Sequence, residues 1–190
     1  MLQLFKYVYL KLVFFIRYRP NLASAGRRVV FFPPVRIDGA QYISIGSRTS
    51  IQSNSWLYAE GQPGAGSTLK IGSGSVLGHA NHITAIRSVT IGNSVLTANQ
   101  VYISDNSHSY EDILTPILNQ PVEFRGEVKI GDGSWLGENV CVIGASVGKN
   151  CVIGANSVVT HDIPDYCVAV GAPARIIKQY SLSKGAWIIK

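Results

Sequence analysis

The chain reads Ile130-Gly131-Asp132-Gly133-Ser134-Trp135 and then Leu136-Gly137-Glu138-Asn139-Val140-Cys141, and the pattern returns at Val147-Gly148-Lys149-Asn150-Cys151-Val152 and Ile153-Gly154-Ala155-Asn156-Ser157-Val158. Each unit opens with an aliphatic residue, usually has glycine second, and carries a small residue fifth. This six-residue period predicts a solenoid of short strands. We expect the second glycine to supply the positive φ of the bend between strands, and the fifth residue to point inward. The fifth residues are Ser134, Val140, Ser146, Cys151 and Ser157.

The pattern also occurs earlier, at Ile45-Gly46, Ile71-Gly72 and Ile91-Gly92. Arg87 interrupts it at a position that would point inward. Because a buried arginine is energetically expensive, we predict a local bulge over residues 84–88 that turns Arg87 outward.

The composition fits one domain with its own core. The chain has 190 residues, of which 46% are hydrophobic, and this length is typical of a single domain. Its cysteines are Cys141, Cys151 and Cys167, an odd number. Cys151 lies at an inward position, which favours buried thiols in a reducing compartment over a disulfide. No Cys-x-x-Cys spacing indicates a zinc site.

The charge is concentrated at the N-terminus. Residues 1–37 contain seven Lys and Arg and no acid, which leaves −1 for the remaining residues because the total is +6. A nearly neutral solenoid argues against nucleic-acid binding.

We predict a helix over residues 3–17 that is too short, and too interrupted by Lys6 and Lys11, to span a bilayer. Arg17 and Arg19 follow the apolar stretch, where they disfavour a secretory signal.

Two interpretations of this helix stay open. A basic, aromatic-rich segment over residues 1–20 suits the surface of an anionic membrane. The same segment could instead pack against the solenoid or a neighbouring subunit and cap the open end of the core.

Interruptions of the period define the domain organisation. We predict an N-terminal helix and lead-in over residues 1–34, a β-helix domain over 35–178, and a C-terminal cap over 179–190 that forms a short helix with Trp187. Residues 105–127 leave the repeat and are expected to project as a loop. Long loops on rigid scaffolds commonly carry function.

Three motifs, in this order, resemble those of the hexapeptide-repeat acyltransferases: Ile103-Ser104-Asp105-Asn106-Ser107-His108, then Gly133-Ser134-Trp135-Leu136-Gly137-Glu138-Asn139-Val140, then Ile153-Gly154-Ala155-Asn156-Ser157-Val158-Val159 leading to Val170-Gly171-Ala172-Pro173-Ala174-Arg175. Within the family, the chain is most similar to the sugar O-acetyltransferases of bacterial O-antigen and capsule. The resemblance implies an all-β, left-handed parallel β-helix that forms a homotrimer. It departs from the family at a step from Val142 to Val147 that is one residue short, and at Asn106, where relatives have a histidine.

Acyl transfer from a thioester to an alcohol requires a base that removes the alcohol proton. A neutral imidazole suits this role near neutral pH. Of His79, His82, His108 and His161, His108 lies at the root of the predicted loop, where the resemblance also places the catalytic histidine. Asp105 could orient the ring of His108, although a local turn contact fits this carboxylate equally well.

The resemblance implies acetyl-CoA as the co-substrate and no metal. It assigns Trp135 to the pantetheine arm, and it places Ala155, Thr160, Arg175 and Lys178 along the nucleotide end, where the two cations suit phosphates. Backbone N–H groups near Ala98 or Gly137 are candidates to stabilise the developing oxyanion. A trimer would place His108 of one subunit against Trp135 of its neighbour.

We therefore predict an acetyl-CoA-dependent O-acetyltransferase that modifies a sugar or lipid-linked oligosaccharide in the bacterial cytoplasm, at the inner face of the membrane. An amino-sugar N-acetyltransferase and a non-catalytic binding or scaffold solenoid are the alternatives. A metal-dependent carbonic anhydrase would need converging histidines, and His79, His82 and His108 show no ligand spacing that indicates one.

Overall fold

A computed structural model describes residues 2–61 and 66–190, with side chains described from Val8 onward. The helix α1 spans Leu2–Val13 and continues into a π-helical turn, Phe14–Tyr18, and a 3-10 turn, Arg19–Asn21. Two further 3-10 turns span Ala40–Tyr42 and Ile117–Asn119. The strands are β1 (Ser24–Ala25), β2 (Val30–Phe31), β3 (Arg36–Asp38), β4 (Ile43–Ile45), β5 (Ser50–Ile51), β6 (Trp56–Ala59), β7 (Leu69–Ile71), β8 (Val76–Leu77), β9 (His82–Ala85), β10 (Val89–Ile91), β11 (Leu96–Thr97), β12 (Tyr102–Ser104), β13 (Asn106–His108), β14 (Val122–Phe124), β15 (Val128–Ile130), β16 (Trp135–Leu136), β17 (Cys141–Ile143), β18 (Val152–Ile153), β19 (Val158–Val159), β20 (Cys167–Val170), β21 (Arg175–Ser181) and β22 (Ala186–Ile189).

These strands form a three-sided parallel β-helix. Wall A contains β1, β4, β7, β10 and β15, wall B contains β2, β5, β8, β11, β16, β18 and β20, and wall C contains β3, β6, β9, β12, β17 and β19. Successive coils stack in register, so that Tyr102 lies between His82 and Cys141 along wall C. The coil extends N-terminal to the predicted boundary at residue 35, because β1 already pairs with β4 and β2 with β5.

The aliphatic residue that opens each repeat points into the core, as the period predicts. Ile91, Ile130 and Ile153 are essentially inaccessible to solvent. Burial of an aliphatic side chain of this size contributes about 1.5–3 kcal/mol, so the stacked core residues account for much of the stability of the coil.

The corners differ from our expectation about glycine. Positive φ falls on the fourth residue of the repeat, for example Arg48 (φ 60) and Asn156 (φ 59), and not on the second glycine. The second glycine is instead required by close packing between coils. A Cβ on Gly72 would lie 2.4 Å from the carbonyl oxygen of Gly92, and one on Gly46 would lie 2.5 Å from the backbone nitrogen of Ser73.

Hydroxyls at the fifth position are buried and satisfied by the next coil. The Ser134 hydroxyl donates to the carbonyl oxygen of Gly148 at 2.7 Å. The prediction that Ser146 points inward is wrong: Ala145 takes the inward place with 1% exposure, and the Ser146 hydroxyl donates to the carbonyl of Glu127. Because the step from Val142 to Val147 is one residue short, the inward position of this coil falls one residue earlier in the chain.

The N-terminal helix caps the open end of the core. Leu10, Phe14 and Tyr18 are buried, and the rings of Phe14 and Tyr18 lie 4.9 and 5.0 Å from the ring of Phe31 in the first coil. The Tyr18 hydroxyl donates to the carbonyl oxygen of Val35. The inner face of this helix therefore packs against the solenoid, as one of our two interpretations predicts.

The predicted C-terminal helix is wrong. Residues 175–189 form a hairpin in which β21 pairs antiparallel with β20, and β22 pairs with β21. Strand β20 leaves one edge for pairing, and β-branched and aromatic residues such as Ile176, Tyr180 and Trp187 favour strands. The segment thus widens wall B.

The predicted projecting loop is confirmed. Its base is a two-stranded antiparallel ribbon of β13 and β14 that leaves the coil after wall C. Residues 109–121 form the arm beyond this ribbon. Ile113, Leu114 and Leu118 near its tip are each at least 87% exposed.

The cysteines are free. Cys151 and Cys167 are buried within the coil. Burial raises the pKa of both thiols, which disfavours the reactive thiolate.

Candidate active site

His108 lies at the edge of a cleft of about 240 Å³ on the outer face of wall C. The cleft is bounded by residues of three successive coils and by the base of the arm. These residues are Trp56, Tyr58, Glu60, His82, Thr84, Ile86, Tyr102, Asn106, Ser107, His108 and Val122. The ring of His108 has no hydrogen-bond partner among the described residues, so it can face a ligand.

The ribbon at the base of the arm positions His108. Its backbone pairs with Val122 across the two strands. Arg125, which directly follows β14, holds β13 in place. Its Nε donates to the Ser107 hydroxyl at 2.6 Å, and its guanidinium also donates to the carbonyl oxygen of His108 at 3.3 Å. No sequence motif marks Arg125, and its contact with the His108 carbonyl is seen only in the fold.

Asp105 does not orient His108, contrary to one of our two interpretations. Its carboxylate is fully buried and accepts hydrogen bonds from the backbone N–H groups of Ile86, Arg87 and Ser88 at 2.8–3.0 Å. It also accepts one from the Asn106 side chain. Asp105 therefore fixes the predicted bulge of the preceding coil.

The bulge turns Arg87 outward, as predicted. Its guanidinium stacks over the ring of Phe124 at the base of the arm, with Cζ 4.4 Å from the ring centroid. Asp105 and Arg87 together connect the coil to the ribbon that carries His108.

An aromatic ladder, defined here as Trp56, His82 and Tyr102, follows one row of wall C toward His108. The three residues are register neighbours on β6, β9 and β12. The Trp56 and His82 rings are parallel with centroids 4.3 Å apart, and the His82 and Tyr102 rings are 5.2 Å apart. Arg36 stacks on Trp56 at 4.1 Å.

The electrostatics of the cleft depend on few groups. Glu60 is the one Asp, Glu, Lys or Arg side chain among the described residues that line it. Glu60 accepts a hydrogen bond from the Tyr58 hydroxyl, and this bond, with burial, raises the pKa of Tyr58 to about 12. Burial, followed by the charge of Arg36, lowers the pKa of His82, so its ring is neutral at pH 7.

The backbone N–H groups of Ala98 and Gly137 themselves are both hydrogen-bonded. The Ala98 N–H donates to the carbonyl oxygen of Leu136 at 2.8 Å, and the Gly137 N–H donates to that of Ile153 at 2.9 Å. Both belong to the ladder of bonds between coils. The coils use these two N–H groups for stacking, and a donor from a residue near Ala98 or Gly137 stays a prediction.

Several residues predicted to bind acetyl-CoA lie along wall B. Trp135 is 47% exposed and shares a transverse row with Val152, Val168 and Lys178. With strands about 4.8 Å apart, this row extends about 14 Å toward the C-terminal coils. Arg175 lies opposite Val170 on β21, the strand that also carries Lys178.

The remaining predicted residues lie at two corners. Ala98 and Ala155 follow strands of wall B, at the corner that leads to wall C. Thr160 follows β19 of wall C and is exposed, at the same edge of the coil as the arm. One chain therefore presents two groups of predicted residues: His108 and Thr160 at the edge after wall C, and Trp135, Arg175 and Lys178 on wall B.

Within residues 2–61 and 66–190, no group of three or more His, Cys, Asp or Glu side chains is placed to bind a metal ion. In the same ranges, no helix has both the length and the apolar character needed to cross a bilayer.

Sequence comparisons identify the repeat and its relatives. Residues 127–161 match a family described as the hexapeptide repeat of succinyl-transferase. A Mycobacterium tuberculosis protein named as an acetyltransferase is 36% identical over 149 residues, which are 78% of this chain and 46% of that protein. The Escherichia coli protein WbbJ, whose name assigns it to lipopolysaccharide biosynthesis and O-acetyl transfer, is 42% identical over 113 residues, covering 56% of this chain and 58% of WbbJ. The chain thus spans about half the length of these relatives.

A solved structure has the same fold. AntD, an N-acyltransferase of Bacillus cereus crystallised with dTDP and 3-hydroxybutyryl-CoA, superposes with a TM-score of 0.73 at 18% identity and covers 87% of each chain. The predicted resemblance to hexapeptide-repeat acyltransferases and the predicted left-handed parallel β-helix are thereby confirmed.

Proposed function

Because this chain shares the repeat and the left-handed β-helix of the hexapeptide-repeat acyltransferases, we propose that it transfers the acetyl group of acetyl-CoA to a sugar hydroxyl. The observation that carries the proposal is the position of His108. Its imidazole borders the cleft on wall C and is fixed through its backbone by Arg125. Such a group is placed to act as a general base on a bound hydroxyl.

The reaction needs one proton acceptor and no covalent enzyme intermediate. A ring nitrogen of His108 takes the proton of the acceptor hydroxyl while the hydroxyl oxygen bonds to the thioester carbon. The resulting tetrahedral oxyanion collapses, the carbon–sulfur bond breaks, and the CoA thiolate takes the proton from the imidazolium. General-base catalysis of this kind contributes about 10² to 10⁴ in rate.

We infer that acetyl-CoA lies along wall B of a neighbouring subunit. Trp135 would cover the pantetheine arm, and Arg175 and Lys178 would pair with phosphates, because cations stabilise phosphate oxygens. Ala155 and Thr160 remain predicted neighbours of the nucleotide. Since His108 lies at the edge after wall C and Trp135 lies on wall B of the same chain, a site that uses both requires two copies of the chain.

A cyclic trimer satisfies this requirement with three equivalent clefts. The exposed apolar tip of the arm supports the assembly. Ile113, Leu114 and Leu118 are almost fully exposed in the isolated chain, and an apolar cluster of this kind commonly marks a contact between proteins.

Two acceptor atoms stay open: the oxygen of a sugar hydroxyl and the nitrogen of an amino sugar. WbbJ is named for O-acetyl transfer, whereas AntD is an N-acyltransferase. The same histidine and thioester would serve an amino-sugar acceptor. We propose O-acetylation, because the sequence identity is 42% with WbbJ and 18% with AntD.

We further propose that the protein works in the bacterial cytoplasm, at the inner face of the membrane, on a lipid-linked oligosaccharide. The outer face of α1 and its π-helical turn supports this location. Its apolar side chains Val8, Tyr9, Leu12, Phe15 and Ile16 are between 55% and 66% exposed. The segment that carries them also contains Lys11, Arg17 and Arg19 and has no acid. An apolar helix face with flanking cations suits an anionic lipid surface.

A groove beside this helix adds cations to the same surface. It has a volume of about 640 Å³ and is lined by Lys11, Phe15, Arg19, Arg27 and Arg28, among others. The inner face of the helix caps the coil, so membrane contact and capping use different sides of one helix.

The proposed function is tested by acetyl transfer itself. The purified chain is incubated with acetyl-CoA and a panel of nucleotide sugars and lipid-linked oligosaccharides while free thiol is followed. We expect release that depends on one class of acceptor, and we expect acetyl-CoA alone to raise the melting temperature. A chain that acetyl-CoA does not stabilise, and that releases no thiol with any acceptor, would be a binding or scaffold solenoid.

A further inference from the structure

The cleft on wall C has features that no catalytic role explains. The aromatic ladder of Trp56, His82 and Tyr102 rises along wall C from the N-terminal side of His108. The coils that carry the ladder precede the coil of Trp135 and the hairpin strand β21 of Lys178. A ligand on the ladder would therefore approach His108 from the side opposite to the proposed acetyl-CoA groove.

The ladder is rigid. Trp56 is held between Arg36 and His82 by stacking, and its indole N–H donates to the Asp38 carboxylate at 2.7 Å. Aromatic side chains in fixed positions bind the apolar faces of sugar rings at low entropic cost, because few rotamers are lost on binding.

Glu60 gives the cleft its charge. Its Oε1 accepts from the Tyr58 hydroxyl, and its Oε2 has no hydrogen-bond partner among the described residues. An exposed carboxylate oxygen accepts sugar hydroxyls readily and repels a second carboxylate. The His82 ring is neutral at pH 7 because burial lowers its pKa, so it does not offset the charge of Glu60.

We propose that Glu60 and the aromatic ladder form the acceptor subsite, and that it binds a sugar ring that carries hydroxyls and no acidic group. This inference rests on the proposed transfer at His108, and it specifies the acceptor. Tyr102 covers the ring, the edges of the stacked Trp56 and His82 rings border it, and Glu60 accepts hydrogen bonds from its hydroxyls. The phosphates of a lipid or nucleotide carrier lie outside this subsite.

Binding is measured separately from transfer, so that the two proposals can fail independently. Saturation-transfer NMR of the full chain with methyl β-glucopyranoside and methyl β-glucuronide gives a Kd for each probe. We expect the neutral glycoside to bind at least about tenfold more tightly than the glucuronide. Glu60→Gln should reduce this ratio to below about threefold, because the substitution removes the charge and preserves the shape.

Two variants serve as comparisons. Glu127→Gln removes an exposed, hydrogen-bonded carboxylate outside the cleft and should leave the ratio unchanged. Tyr102→Ala should weaken both probes by a similar factor, because its ring contact does not depend on charge. Failure of the neutral glycoside to bind, equal binding of both probes, or an unchanged ratio in Glu60→Gln would overturn the assignment. Stabilisation by acetyl-CoA and thiol release would then still report on the proposed function.

Discussion

At the scale of single residues, the proposed acetyl transfer depends on His108. His108→Ala should lower the rate of acetyl transfer at least a hundredfold, because the variant lacks the base that removes the acceptor proton. The melting temperature and its increase with acetyl-CoA should stay unchanged, since the ring makes no hydrogen bond within the described part of the chain. The comparison is His79→Ala, which removes an exposed imidazole outside the cleft. Near-normal transfer by His108→Ala would refute the assignment.

Asp105 is expected to act on stability and not on the proton. Asp105→Asn places an amide N–H₂ group where the carboxylate accepts backbone N–H groups of the bulge. The loss of buried hydrogen bonds to a charged group costs about 2–3 kcal/mol. For a chain of this size, that loss lowers the melting temperature by roughly 5–10 °C.

The pH dependence of transfer separates the two interpretations of Asp105. If Asp105 only fixes the bulge, the pH at half-maximal rate should be the same in Asp105→Asn and the original protein. A shifted pH profile together with an unchanged melting temperature would show that the carboxylate acts on His108.

The place of His108 was predictable, because it lies at the root of the interruption and borders the cleft. Its role as the base stays a prediction. Asp105 was ambiguous, because the sequence does not show which backbone N–H groups the preceding coil leaves without partners. Glu60 and His82 carry no motif, and they come close to His108 because wall C stacks segments that are distant in sequence.

At the scale of elements, the outer face of the N-terminal helix provides a sharp test. The full chain should sediment with vesicles that contain phosphatidylglycerol. The double variant Phe15→Glu with Ile16→Glu should weaken this binding at least tenfold. The variant adds two negative charges to an apolar face that the coil does not cover.

Leu182→Glu places a negative charge on an equally exposed apolar residue at the far end of the chain and should bind as the original protein does. Neutral phosphatidylcholine vesicles should bind the original protein more weakly. Equal sedimentation of the double variant and the original protein would remove the membrane proposal and leave the helix as a cap.

Elements were predictable in proportion to their periodicity. The coils and the arm follow from a regular repeat and its interruption. The C-terminal hairpin was not predicted, because residues 175–189 are too short for a period to distinguish helix from strand, and the unpaired edge of β20 decides between them. The glycine positions were identified correctly, but their role is contact between coils and not backbone turning.

At the scale of the whole molecule, the proposed catalysis requires two subunits. His108 lies at the edge after wall C and Trp135 lies on wall B, so an isolated chain presents half of each proposed site. Size measurement in solution should give a trimer, and a monomer with full activity would contradict the shared cleft.

The most direct measurement is complementation between inactive variants. His108→Ala and Trp135→Asp are each expected to be inactive as homotrimers. When the two chains are unfolded together in equal amounts and refolded, every mixed trimer should contain one intact pairing of His108 with Trp135 of the neighbour. Random mixing then restores about a quarter of the original activity. Mixtures that stay as inactive as their components, although mixed trimers have formed, would contradict a site built from His108 of one subunit and Trp135 of the next.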